Sequence, residues 1–201
     1  MDIIFASTAQ IFTANQAKPN TEIEFRLGKI NKRIFDTNVG KDVFDKIMSG
    51  LRKYKEWENV VETNTSVYYR GNTRVIVNED NEDEIIKMEK VNVSKTDFKL
   101  EKNIMDVRLA VSTETALFPD TGSGSDDGVM DSIRTKHRVS FIRKNLSIDM
   151  TVVQGDACDM DDEEENRYEI ELEIINLNMI KNEKELYNLT HKIFDILKIV
   201  E

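Results

Sequence analysis

The sequence has few of the residues that cross-link, stiffen or interrupt a chain. Among its 201 residues are one cysteine, two prolines and eight glycines. The single cysteine, Cys158, excludes an intrachain disulfide framework and favours an intracellular setting. So few prolines and glycines exclude a linker or a low-complexity protein. The length and a hydrophobic content of 39% instead predict one domain with a sizeable core.

Long apolar runs are also missing from the sequence. No apolar stretch reaches the roughly 18 residues that a membrane-spanning helix needs. The N-terminus lacks the basic segment followed by an apolar one that marks a secretory signal peptide. We therefore expect an intracellular, cytoplasmic protein with no membrane partner.

Negative charge is concentrated in two short segments. The formal net charge is −10, which by itself argues against a nucleic-acid partner. Residues 119–131 hold four acids and no bases, and residues 155–165 hold seven acids and no bases. Without these eleven acids the rest of the chain carries a net charge of +1. The body of the domain is therefore nearly neutral, and two predicted loops carry the acidity.

Most of the chain has the period-two pattern of β-strands. The first predicted strand is 21–27, and the others are 30–36, 59–70, 72–79, 84–93, 96–101, 106–115, 133–143, 146–153 and 167–176. Helical spacing predicts helices at 41–56 and 183–199. Residues 1–20 are interpreted as an N-terminal arm with room for one short helix, and 21–201 as a single domain. This order predicts a mainly β (α+β) barrel or sandwich with helices packed outside.

Charged residues on these strands are sorted by sign. Residues two apart on a strand point the same way, about 6.6 Å apart. Glu22 and Glu24 therefore form one row of carboxylates, and Glu169, Glu171 and Glu173 form another. Other strands carry bases on one face: Arg74, Lys90, Arg108 (with Glu114), and the run Arg134, Lys136 and Arg138. The opposite faces of these strands are apolar.

A solvated sheet face with cross-strand ion pairs is the simpler explanation for any single strand. The rows of like charge fit it less well, because adjacent carboxylates repel unless a cation lies between them. Mg²⁺ and Mn²⁺ favour carboxylate oxygens, and lysines and arginines on neighbouring strands bind phosphate oxygens. An eight-stranded barrel is just wide enough to enclose one small ligand. The pattern therefore indicates a polyphosphate site inside a closed barrel.

Two glutamate motifs resemble those of a known superfamily. They are Glu22-Ile23-Glu24 near the start of the chain and Glu169-Ile170-Glu171-Leu172-Glu173 near its end. In that order they resemble the triphosphate tunnel metalloenzymes, and among these the fungal and viral RNA triphosphatases. Further matches are Val111-Ser112-Thr113-Glu114, Lys136-His137-Arg138 and Asp149-Met150-Thr151. The likeness covers residues 21–176, and the small size and composition are more similar to the triphosphatase domain of giant-virus capping enzymes.

The resemblance implies a closed eight-stranded antiparallel barrel that removes the γ-phosphate from 5′-triphosphate RNA, the first step of mRNA capping. It implies a Mg²⁺ or Mn²⁺ site formed by Glu22, Glu24 and Glu173, with Glu171 acting through a water. The implied phosphate ligands are Arg74, Lys90, Arg108, Lys136 and Arg138. Glu114 would position the attacking water, with Lys136 and Arg138 as further catalytic residues, and Glu169, Asp149 and Thr151 would hold this set in place.

One position departs from the family pattern. The family often has an arginine two residues before Asp149, where this sequence has Ser147. Either that phosphate contact is missing, or it is supplied from elsewhere, with Arg143 and Arg108 as the candidates. His137 has the opposite strand parity to Lys136 and His191 lies on the last predicted helix, so both are interpreted as structural.

Three alternatives stay open at this point. One is a CYTH-type enzyme acting on tripolyphosphate or thiamine triphosphate, although that branch carries Glu-x-Glu-x-Lys where this chain has Arg26. The others are a non-catalytic polyphosphate- or metal-binding module and a purely structural β-domain. The expected partners are a 5′-triphosphate RNA end, a nucleoside triphosphate as a further substrate, and a fused or associated guanylyltransferase. A giant-viral source would place the protein in a viral factory or virion.

Overall fold

The computed structural model describes residues 2–117, 130–155 and 166–201. Cys158 and nearly all of the two acidic segments lie outside the described residues.

The described residues form nine strands, three α-helices and one short 3₁₀ helix. In chain order they are α1 (Asp2–Asn15), β1 (Thr21–Asn31), β2 (Ile34–Asp36), α2 (Lys41–Lys53), β3 (Asn59–Arg70), β4 (Thr73–Asn78), β5 (Asn81–Phe98), β6 (Asp106–Ala116), β7 (Ser132–Arg143), β8 (Leu146–Gln154), β9 (Arg167–Ile174), the 3₁₀ helix (Leu177–Met179) and α3 (Glu183–Leu197). No helix among these residues is both long enough and apolar enough to span a membrane.

Eight of the nine strands close into an antiparallel barrel. The order around it is β1-β6-β5-β4-β3-β7-β8-β9, and β9 pairs with β1 again to complete the circle. The short strand β2 lies beside the end of β1 as an extra strand. This confirms the predicted eight-stranded barrel with helices on its outside.

Two stretches of strand differ from the prediction. The segments predicted as 84–93 and 96–101 form one strand, β5, whose register shifts between Asn92 and Ser94. A bulge of this kind admits one extra residue without ending the strand, and it hides the period-two pattern. The segment predicted as a single strand at 30–36 is instead divided between the end of β1 and β2 by a tight turn, with Lys32 and Arg33 at φ 47° and 72°.

The N-terminal residues form a helix that is longer than the one short helix expected in this arm. Helix α1 has 14 residues, and it buries Ile4, Thr8, Phe12 and Asn15 on one side at the i, i+4 spacing of helical neighbours. The ring of Phe5 packs edge-on against Tyr187 of α3, with centroids 5.2 Å apart. The helix is hard to recognise in the sequence because two of its four buried residues are polar, so the apolar periodicity is weak.

Most of the hydrophobic core lies between the outer wall of the barrel and the helices. Phe25 of β1, Leu109 of β6 and Leu172 of β9 are almost fully buried there, as are Ile47 of α2 and Ile193 of α3. Burying a side chain of this size contributes roughly 1.5–3 kcal/mol. A register shift of one residue would expose all of the wall's apolar side chains. Packing of the outer wall therefore fixes which residues point into the barrel.

Gly28 is the point where β2 folds tightly onto β1. A Cβ added there would lie 2.2 Å from the backbone oxygen of Asp36 and 2.5 Å from the ring of Phe35. We expect Gly28→Ala to lower the free energy of unfolding by roughly 1–3 kcal/mol in urea titrations, because backbone must move. Gly50→Ala is the matched control: its Cβ would meet only the side chain of Ile199, which can shift. Equal stability of both variants would contradict this account of the β1–β2 contact.

Candidate active site

Closure of the barrel places the two glutamate rows side by side. In the β1–β9 pairing Glu24 lies opposite Glu173, and Arg26 lies opposite Glu171. On the other side of β9, Asp149 of β8 lies opposite Glu171. Residues from the two ends of the sequence thus share one inward-facing surface.

The carboxylates of this surface repel one another. Burial, together with the nearby carboxylates of Glu22 and Asp149, raises the pKa of Glu173 to about 8. Burial and the neighbouring Glu171 raise the pKa of Glu24 to about 7. In the absence of an added cation these two groups therefore hold protons near neutral pH.

Lysine and arginine side chains inside the barrel contact most of these acids. Lys90 of β5 forms ion pairs with Glu22 and, at 2.8 Å, with Glu114. Burial disfavours the charged lysine, but the charges of Glu24 and Glu22 raise its pKa overall. One ammonium group thus connects the β1 carboxylates with the carboxylate of β6.

Two arginines hold Glu171 in its charged form. Arg26 lies 2.7 Å from Glu24 and 3.1 Å from Glu171. Arg138 lies 3.4 Å from Glu171 and 3.3 Å from Asp149. Burial acts to raise the pKa of Glu171, but these guanidiniums lower it to about 2. Arg138 also donates to the Thr151 hydroxyl at 3.1 Å, so both Asp149 and Thr151 contact this arginine.

The carboxylate set fits a hard divalent cation in composition. Glu22, Glu24, Glu171 and Glu173 supply only oxygen ligands, and a bound cation would favour the charged forms of Glu24 and Glu173, whose pKa values burial raises. Within residues 2–117, 130–155 and 166–201, no three acidic, histidine or cysteine side chains are arranged closely enough to hold a metal ion. The reason is visible in the contacts: the oxygens of Glu22, Glu24 and Glu171 lie against Lys90, Arg26 and Arg138.

The remaining predicted phosphate ligands lie at different places in the barrel. Lys136 is half-buried on the inward face of β7, opposite Thr65 and Val153. Arg74 of β4 lies with its guanidinium carbon 5.5 Å from the ring centre of Tyr69. Arg108 is held differently. It makes two hydrogen bonds to Asp97, at 2.7 and 2.9 Å, and it covers the ring of Phe35.

The site also contains residues that sequence reasoning did not assign. Arg26 is one of them, although its shared parity with Glu22 and Glu24 already placed it on the same face. Ser112 donates a hydrogen bond to Glu22 at 2.6 Å. Lys95 lies opposite Ala110 on the inward face, and burial together with the charges of Arg108 and Arg26 lowers its pKa.

The expected replacement for the family arginine is not found at either predicted residue. Ser147 instead donates to Asp149 at 2.5 Å and is buried with it. Arg143 has outward parity and contacts Glu56 beyond the barrel wall, so it does not face the channel. Arg108 is engaged by Asp97.

Glu169 is not in direct contact with the described cations of the channel. It accepts a hydrogen bond from Thr37 at 2.9 Å, and its negative charge raises the pKa of Arg26 without forming an ion pair.

Both histidines lie away from the channel. His137 contacts Glu62 and Asn64 on the outer surface of the barrel, at 3.2 and 2.8 Å. His191 lies on α3 beside Asp195. This agrees with the structural role predicted for each.

Comparison with known protein families identifies one that covers most of the chain. The family model described as "mRNA capping enzyme, beta chain" matches residues 35–200. The chain belongs to this mRNA capping enzyme family. The family match begins after β1, so Glu22 and Glu24 join the site through the fold and the motif rather than through the matched range. No curated protein matches the sequence.

Solved structures share the capping-family fold over nearly the whole chain. The S. pombe Pct1 RNA triphosphatase has a TM-score of 0.78 at 15% identity, covering 99% of this chain and 92% of Pct1. Pct1 in complex with the Spt5 CTD has a TM-score of 0.79 at 14% identity, covering 98% and 92%. The RNA triphosphatase domain of a trifunctional mimivirus mRNA capping enzyme has a TM-score of 0.68 at 16% identity, covering 100% and 97%. The triphosphate tunnel fold predicted for the chain is thereby confirmed.

The raised pKa of Glu173 makes stability depend on pH. Its value is about 8 in the folded protein and 4.5 for an isolated group, so unfolding releases a proton between these values. In chelator, the free energy of unfolding should therefore fall as pH rises from about 4.5 to about 8. Each unit of difference between the two pKa values corresponds to about 1.4 kcal/mol. Urea titrations at several pH values measure this slope.

Glu173→Gln is the decisive variant for that slope, because it keeps the shape and removes the charge. It should be more stable than the wild type at pH 8 in chelator and should depend less on pH. Glu62→Gln, on the outer wall, is the matched control and should behave as the wild type. An unchanged slope in Glu173→Gln would contradict the assigned repulsion.

Proposed function

We propose that the chain is a metal-dependent polynucleotide 5′-triphosphatase. It would hydrolyse the γ-phosphate of 5′-triphosphate RNA to give a 5′-diphosphate end and inorganic phosphate, the first step of mRNA capping. The observation that carries this proposal is the closed channel in which the carboxylates of β1 and β9 face the cations of β5 and β7. Membership of the capping family supports the same reaction class.

The carboxylates of β1 and β9 would hold Mg²⁺ or Mn²⁺. Glu22, Glu24 and Glu173 are the direct ligands in this proposal, and Glu171 acts through a water. The raised pKa values of Glu24 and Glu173 support it, since both groups gain from a nearby positive charge. When bound, the ion would hold the γ-phosphate in register and neutralise the charge that develops on it.

The phosphate oxygens would be bound by inward-facing cations. Lys90, Lys136, Arg138 and Arg74 all lie on this face. Lys90 and Arg138 now contact carboxylates, and a triphosphate brings anionic oxygens that compete for the same N–H donors. Arg108 would contribute mainly through its charge, because its Nε and Nη2 already donate hydrogen bonds to Asp97.

Glu114 would orient the attacking water. Its carboxylate lies 2.8 Å from Lys90, so the water is held next to a phosphate-binding cation. The water oxygen forms a bond to the γ-phosphorus, and the bond from that phosphorus to the β–γ bridging oxygen breaks. The electron pair stays with the diphosphate end of the RNA, and the water proton passes to Glu114 and on to solvent.

Other chain residues would keep this arrangement in place. Asp149 and Thr151 hold Arg138, and Ser147 holds Asp149 in turn. Arg26 pairs with both Glu24 and Glu171 and so fixes the spacing of these two carboxylates. Glu169 adds negative charge near Arg26.

The solved relatives suggest the setting of the reaction. Pct1 has been solved with the Spt5 CTD, and the mimivirus domain comes from a trifunctional capping enzyme. We propose that this chain likewise works with a capping guanylyltransferase, and that nucleoside triphosphates are further substrates. A viral source, and a viral factory or virion as its location, stay predictions.

Removal of single carboxylates tests the metal-dependent reaction. Glu22→Gln and Glu173→Gln should lower Mn²⁺-dependent phosphate release from triphosphate-ended RNA by roughly 100-fold or more, because each loses an oxygen ligand. Glu62→Gln, on the outer wall, should keep the wild-type rate. Equal rates in all four proteins would refute the assignment of the site.

The same assay separates the alternatives by substrate. Greater efficiency with tripolyphosphate than with RNA would favour the CYTH-type activity. Stabilisation by tripolyphosphate and Mn²⁺ without turnover of any substrate would favour a binding module.

The role of Glu114 can be distinguished from that of a metal ligand. Glu114→Gln should lower kcat by roughly 10²- to 10⁴-fold, because the water loses its proton acceptor. The increase in Tm that Mn²⁺ causes should remain, since the carboxylates of β1 and β9 are intact. Thr115→Ala, which is exposed on the next residue, is the matched control. Loss of the Mn²⁺-dependent increase in Glu114→Gln would assign this residue to the metal site instead.

A further inference from the structure

One rim of the barrel carries an inward-facing tyrosine. Tyr69 of β3 lies opposite Arg74 of β4 and Ser132 of β7. It has the same parity as Thr63 and Thr65, which lie opposite Arg138 and Lys136 of the channel. Its side chain is half-buried, so part of the ring is accessible. The preceding residue, Tyr68, has the opposite parity and faces outward.

This rim is more cationic than the other. In an antiparallel barrel, the rim where β3 ends is also the rim where β4, β6 and β7 begin. Near it lie the inward-facing Arg74, Arg134 and Arg108, each two residues or fewer from its strand's first residue. At the opposite rim, where β1 begins and β6 and β9 end, the inward-facing residues include the acids Glu22, Glu114 and Glu173. Asp97 pairs with Arg108 near the Tyr69 rim, so the charge that this rim offers to a polyanion such as RNA comes from Arg74 and Arg134.

Two guanidiniums pack against the Tyr69 ring. The central carbon of Arg74 lies 5.5 Å from the ring centre and that of Arg134 lies 5.4 Å from it. They reach the ring from the two strands that flank β3. Contacts of this kind fix the orientation of both guanidinium planes. Aromatic rings and guanidinium planes are also the surfaces on which unpaired RNA bases stack.

The aromatic group lies next to the phosphate-binding region. The backbone N–H of Lys90 donates to Asn72 in the β3–β4 turn at 2.9 Å. Met88, which lies opposite Arg74, is two residues before Lys90 on the same face of β5, about 6.6 Å along the strand. A nucleoside joined to a triphosphate at Lys90 would therefore reach the Tyr69 ring.

Phe35 is a less suitable ring. It lies under Arg108 with the guanidinium carbon 4.5 Å from its centre, but it is only 7% exposed. A base has no room to stack on it. Tyr69 is half-buried, so part of its side chain is accessible.

We propose that Tyr69, Arg74 and Arg134 bind the first nucleoside of the RNA by stacking on its base. This inference rests on the proposed function, because it requires a triphosphate held at Lys90. It extends that function by naming a group that selects RNA ends over substrates without a base. Arg74 then has two roles, since its guanidinium orients the ring and its charge faces the α-phosphate side of the substrate.

The test compares Tyr69→Leu, Tyr69→Phe and Tyr68→Leu on two substrates with Mn²⁺. Tyr69→Leu should raise KM for a triphosphate-ended RNA oligonucleotide roughly tenfold, because stacking is lost. Its kcat/KM for tripolyphosphate, which has no base but still contacts Arg74, should fall less than its kcat/KM for the RNA. Tyr69→Phe keeps an aromatic face and should restore most of the RNA affinity. Tyr68→Leu is the matched control and should match the wild type on both substrates.

A modified substrate tests the same idea in the unaltered protein. Triphosphate-ended RNA whose first nucleotide lacks its base should have a KM about tenfold above that of ordinary RNA with the wild type. Tyr69→Leu should not distinguish the two RNAs. This comparison decides the matter even if a Tyr69 variant folds poorly.

The outcomes separate the two proposals. An equal loss on RNA and tripolyphosphate in Tyr69→Leu, or an equal KM for the two RNAs in the wild type, would overturn the nucleoside site while leaving the triphosphatase activity intact. Absence of phosphate release from any RNA by the wild type would overturn the proposed function, and the nucleoside site with it.

Discussion

The pairing of β1 with β9 is the interaction on which the candidate site depends. It joins the first and last strands of the barrel over a short register that includes Glu24 with Glu173 and Arg26 with Glu171. Without it the two glutamate rows would lie at opposite edges of an open sheet. With it they form one inward surface.

The closure is unfavourable for the charges and favourable for the apolar wall. Each strand that carries inward carboxylates also carries outward residues such as Phe25 and Leu172, which the helices cover. Their burial, roughly 1.5–3 kcal/mol each, offsets the cost of bringing Glu24 and Glu173 together. Arg26 offsets more of it by pairing with Glu24, and Lys90 pairs with the neighbouring Glu22. Part of the stability gained from apolar burial is therefore offset by the repulsion of acids that the closed barrel holds together.

The sequence allowed the faces of the strands to be predicted, but not the partners of each side chain. Alternation places Glu22, Glu24 and Arg26 on one face, because side-chain direction has a period of two along any strand. The choice of partner depends on strand order and register, which are long-range properties. For this reason Asp97 as the partner of Arg108, and Ser147 as the support of Asp149, could not be read from the pattern. Helix α1 was underestimated for a related reason, since its buried Thr8 and Asn15 carry no apolar signal.

The arginines divide the carboxylates into two groups with different behaviour. Glu171 lies between Arg26 and Arg138 and keeps its charge at any pH near neutral, because its pKa is lowered to about 2. Glu173 has no comparable partner among the described residues, and its pKa is raised to about 8. The permanent charge of Glu171 suits a residue that holds neighbouring arginines in place. Glu173 loses its proton when a positive charge binds nearby, which suits a metal ligand. The same barrel wall thus supplies both a fixed framework and a site whose charge is completed by what binds there.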